Sequence, residues 1–158
     1  MPLFYANLDD ALRQRMLAEI ELDRTAGRLY LSAWLTPAGQ TAFPALLQQA
    51  AAQHDAGWLA SRLDIREGVD ANLGLPASRL LAEGEFNRFY MRALCLRAIE
   101  EGRTLEVYRA KPPEIPRAGL EGFVGRAVEP EELLGRLREG GWSSPLLKPG
   151  AGLSVKIS

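Results

Sequence analysis

EGEFNRFYMRALCLRAIEEG, residues 83–102, holds two phenylalanines, a tyrosine, three arginines and the only cysteine of a 158-residue chain. Its apolar residues, Phe86, Phe89, Tyr90, Ala93, Leu94 and those from Leu96 to Ile99, cover much of a helical circumference. A helix apolar over most of its surface packs on more than one side, so this one reads as the spine of a core. Ser78 as cap and Gly102 as stop set a helix over 79–101. Gly84 within it costs about 1 kcal/mol relative to Ala.

Polar residues share that helix. Arg88 and Arg92 are one turn apart and form a basic strip. Glu85 can pair with Arg88 and Arg97 with Glu101, whereas Arg92 has no carboxylate at helical spacing. Between 86 and 111 six basic residues stand against three acids. Arginines beside aromatics can bind nucleic acid by phosphate contact and stacking, which makes Arg88, Arg92, Arg109 and Lys111 the nucleic-acid candidates. The competing reading is a core helix whose arginines bridge to acids elsewhere. The chain has 16 Arg and 3 Lys, a bias of GC-rich coding that lowers the weight of any arginine cluster.

Outward from the spine the elements read as α+β: about five helices around a small two- to three-stranded sheet, in a single domain spanning 1–158. Leu8, Leu12, Met16 and Ile20 recur every fourth residue, giving a helix capped by Asn7 or Asp9 and ended near Ala26 by Gly27. RLYLSAW (28–34) has the composition of a strand. Thr36-Pro37 starts a helix that Pro44 interrupts or restarts and that runs to about His54. A short helix over 56–63 follows Asp55, and 64–76 is a loop. LEVYR within 104–110 and LSVKI within 152–158 alternate as strands. The second could pair with the first or present an edge to another copy. Glutamates around Pro130 open a helix over 128–140.

Several chemistries are disfavoured. A lone cysteine excludes an intrachain disulfide and a cysteine-based zinc site. Cys95 lies mid-helix between leucines and reads as a buried, inert thiol. His54, the only histidine, is followed by Asp55, but sequence neighbours orient each other poorly and no nucleophile motif accompanies them. Glu106 and Lys111 are an odd number apart and point to opposite strand faces, against a metal-dependent nuclease. GLEGFVGR (119–126) is not a phosphate-binding loop. No cofactor or metal site is expected, and enzymatic activity is disfavoured. The net charge of −1 gives no bulk attraction to nucleic acid. The N-terminus lacks a basic region and apolar run of a signal peptide, and no run of about 18 apolar residues suggests a membrane span.

KPPEIPRAGLEGFVGRAV (111–128) is longer than most loops in compact domains, which are functional or disordered when they exceed about 12–15 residues. Its Ile115, Leu120, Phe123 and Val124 are too apolar for a linker and are expected to lie against a surface, the chain's own or a partner's. They are the candidate protein-interaction residues.

The stretches LAEGEFNRFYMRALCLRAIEEG, LEVYRAK and GLSVKIS resemble an uncharacterised family of small proteins encoded in GC-rich bacteria, actinobacteria especially, and in their phages. The resemblance runs from NLDDALRQRMLAEIELD to the C-terminus, with 64–77 shorter than expected. It brings no activity, cofactor or catalytic residue. It implies a phage or prophage virion (head-associated) component. With no catalytic constellation, one cysteine and an apolar long loop, the chain is expected to be a non-enzymatic structural or interaction protein, located in the cytoplasm or the virion and working as a homo-oligomer or in a larger assembly. The alternative is a nucleic-acid-binding module using 86–111, with a hydrolase or nuclease a distant third.

Overall fold

The computed structural model describes residues 5–65, 68, 76–112, 120–139, 146 and 151–158. Its centre is the 25-residue helix Ala77–Glu101, called α4 because three helices precede it. It begins two residues earlier than Ser78 as a cap would place it. Ser78 lies inside the helix and donates its hydroxyl to Asp64 at 2.5 Å. The helix runs unbroken through Gly84 and ends at Gly102, whose φ of 65° is left-handed, a conformation glycine adopts without a steric penalty.

The other helices wrap this spine. The first, α1 (Asp10–Thr25), is capped by Asp9, which accepts from Leu12 N at 2.8 Å. Its Leu12, Met16 and Ile20 are wholly buried. The second, α2 (Pro37–Gln53), is capped by Thr36 and contains Pro44 without a break. Pro44 removes one backbone donor, but the helix has enough turns on either side to persist. Asp55 caps α3 (Ala56–Ile65) through Trp58 N at 2.8 Å. A Cβ on Gly39 of α2 would strike the carbonyl of Gly68, so glycine lets the two backbones meet there. α5 (Pro130–Arg138) opens with Pro130 and two glutamates in its first turn, which suit the positive end of the helix dipole.

The sheet has three antiparallel strands in the order β2-β1-β3. β1 is Leu105–Arg109, β2 Ala127–Val128 and β3 Leu153–Ile157. The fold is therefore α+β, five helices with a small sheet. The third strand is not RLYLSAW, of which residues 28–34 form irregular chain and a turn outside the sheet. It is the pair Ala127–Val128, too short for alternation to reveal. β3 pairs with β1 along its whole length, from Leu105 opposite Ile157 to Arg109 opposite Leu153. Its far side is met by asparagines: Asn87 donates to the Leu153 carbonyl at 2.9 Å, and Ile157 N donates to Asn7 at 3.1 Å. These contacts occupy positions that a second strand would need.

Buried apolar side chains from all five helices and the sheet form one cluster, with Phe86, Phe89, Tyr90 and Leu94 of α4 at its middle. Among the described residues, no helix is long and apolar enough to cross a membrane.

Candidate functional site

Glu85, Arg88, Arg92 and Cys95 follow a spacing of three, four and three, which sets them on one stripe of α4. The stripe is buried. Arg88 donates to both oxygens of Glu85, at 3.0 and 3.2 Å, and to the Leu137 carbonyl of α5 at 3.3 Å. Its guanidinium also lies over the Tyr30 ring. Arg92 donates to Glu19 at 2.9 Å and to both oxygens of Asp23 at 2.5 and 3.0 Å. Arg138 reaches Glu19 from α5 at 3.0 and 2.9 Å.

Electrostatics follow from burial. Desolvation pushes the Glu85 carboxyl upward, and the Arg88 guanidinium only partly opposes it. Burial works against the charge on Arg92, yet the hydrogen bonds and charges of Asp23 and Glu19 win and hold its pKa above the usual value. Burial also pushes the Cys95 thiol up to about 12, so the reactive thiolate is scarce at neutral pH.

Arg88 and Arg92 are thus enclosed and paired with carboxylates, and neither lies on a basic surface in this structure. Lys111 is buried as well, with Nζ 2.7 and 2.8 Å from the Glu83 oxygens. Arg109 is the most open of the four nucleic-acid candidates, its side chain 23% exposed, and it bonds to Glu121 and to the Ala151 carbonyl. A phosphate would have to displace these internal partners. The signal for the partners of Arg92 was present in α1: Glu19 and Asp23 continue the Leu12 and Met16 spacing by three and four, two acids on an apolar face.

Of the interaction candidates, Phe123 packs part-buried against the core beneath the Arg126 guanidinium, and Val124 stands in solvent. Leu120 opens a short 3-10 turn, Leu120–Phe123, while its side chain and the whole of Ile115 lie outside the described residues. Gly125 N donates to the Val107 carbonyl, tying the end of this turn to β1.

The residues weighed for catalysis lie apart. The His54 ring stacks flat on Trp58, with centroids 4.2 Å apart, while Asp55 is engaged as the α3 cap. Glu106 meets Lys156 at 3.5 Å across β1 and β3, while Lys111 pairs with Glu83. Among the described residues, no three of His, Cys, Asp or Glu converge as a metal centre would require. Among the described residues one buried side-chain polar atom is left over: the Tyr5 hydroxyl has no hydrogen bond, and its ring packs against Phe86 and Tyr90.

No family model, curated protein or solved structure matches this chain.

Proposed function

We propose that this chain is a non-enzymatic structural or interaction protein that works inside a larger protein assembly. The observation that carries the reading is a division of labour among its side chains. Of the groups weighed for chemistry or phosphate binding, Arg88, Arg92, Lys111 and Cys95 are buried, while Arg109 and His54 are partly exposed. Large apolar side chains instead face water: Leu22 is 43%, Leu31 38% and Val124 40% exposed. Leu22 sits in an open hollow along α1 with Ala18, Glu21, Thr25 and Ala26. Single exposed leucines are ordinary on a monomer, so it is the combination with the interior placement of most of the reactive groups that supports an assembling role. Within this reading Ile115, Leu120, Phe123 and Val124 form the contact element. A virion setting rests on the sequence resemblance alone.

Size-exclusion chromatography with light scattering, with and without mixed-sequence duplex DNA, tests it. A mass above one chain that Val124→Glu reduces, and that DNA leaves unchanged, supports assembly. A single-chain mass at every concentration, rising only when DNA is added, overturns it in favour of nucleic-acid binding.

A further inference from the structure

We propose that α5 is a detachable strap, which lifts from α4 as a unit while the rest of the fold stays intact. The inference is independent of the assembly reading.

Helix α5 has nine residues, below the length at which a helix persists alone in water. Its N-cap, Glu129, makes no side-chain capping bond. Gly135 sits inside it with open space around its Cα and lowers its helical preference further. The helix therefore exists because it is docked. What docks it is Pro130, Leu133, Leu134 and Leu137, the Arg138–Glu19 bonds at one end, and the Arg88 bond to the Leu137 carbonyl.

The surface beneath favours release. Under α5 runs the polar stripe of α4, Glu85, Arg88 and Arg92. Each of its charges keeps a partner when α5 leaves: Arg88 retains Glu85, Arg92 retains Asp23 and Glu19, and Arg138 passes into water. Exposing complete ion pairs restores hydration and orphans no charge, so opening is less unfavourable than over a purely apolar bed. The spine itself is also packed against α1, α3 and β3.

Cys95 supplies the reporter. It lies wholly buried on the same stripe, and Arg138 and Glu131 of α5 act electrostatically on its thiol. The experiment is amide exchange by mass spectrometry across a urea series below the unfolding transition, with labelling of Cys95 by a disulfide reagent run alongside. The strap requires that amides of 130–138 exchange faster than those of 89–101, with a shallower dependence on urea, and that Cys95 labelling follows the former. Arg138→Gln should raise the labelling rate about tenfold, the scale of one lost charge-assisted contact, and leave 89–101 protected as before. A single urea dependence shared by both helices overturns the proposal, as does an equal loss of protection in both helices of the variant. If Arg138→Gln does not fold, the comparison in the unaltered chain decides alone.

Discussion

The guanidinium of Arg92 and the carboxylate of Asp23 meet through two hydrogen bonds in the protein interior, joining α4 to α1 across 69 residues of sequence. Glu19 completes the arrangement from one turn earlier in α1. One enclosed guanidinium bonds both carboxylates: without it, Glu19 keeps only Arg138 and Asp23 only the more distant Arg28, in a medium that solvates charge poorly. Arg92→Met should destabilise the fold by about 3–5 kcal/mol, the usual consequence of breaking a buried pair from one side. Urea denaturation measures it, and a loss below about 1 kcal/mol would show that water reaches the pair.

Phe86 is wholly buried and touches Tyr5 at a ring-centroid distance of 5.1 Å. Phe86→Ala leaves a cavity where α4 meets the N-terminal segment. A cost of about 3–5 kcal/mol is expected from lost transfer energy and incomplete collapse. A cost near that of a surface substitution would mean that this part of the spine is not packed in solution.

The unpaired Tyr5 hydroxyl predicts an unusual gain. Tyr5→Phe keeps both ring contacts and removes a buried polar atom that has no partner. Thermal stability should stay level or rise by up to about 1 kcal/mol. A clear loss on melting would point to a hydrogen bond formed in solution, and the orphan reading would fail.

Asp9 sets an acid limb on stability. Its bond from Arg97, then that from Leu12 N, lowers its pKa from 3.8. The sign follows: a carboxylate favoured in the folded state contributes above its unfolded pKa and loses that contribution as pH falls through the lower folded value. Asp9→Asn keeps a capping acceptor but removes the charge. The gap between the two proteins should be present at neutral pH and close below pH 3.8, within the range where the folded chain titrates. The Glu85 shift runs the other way, since burial raises it from 4.5, so its share of stability falls as pH climbs past that value. Urea midpoints over pH 2.5 to 7 resolve the two, and a gap independent of pH would rule out the Asp9–Arg97 contribution (the range being about two units around the carboxylate pKa values).

Local rules carried most of the secondary structure. The fourfold spacing of Leu12, Met16 and Ile20, the Asp9 and Thr36 caps, the Gly102 stop and the alternation of LEVYR and LSVKI each act over a few residues, and each produced the expected element. The breadth of the apolar surface from Phe86 to Ile99 likewise placed α4 at the centre. Tertiary contact decided the rest. RLYLSAW has strand composition but finds no partner in the sheet, while Ala127–Val128, with almost no pattern, becomes a strand because β1 offers it hydrogen bonds. From sequence, the Arg88–Arg92 strip reads either as a nucleic-acid surface or as core arginines bridging to acids elsewhere, and nothing local names those acids. A charge is pulled inside only when carboxylates are brought to it, and Glu19 and Asp23 arrive from another helix. Spacing along one helix can specify which residues share a face; what that face meets depends on how distant segments pack.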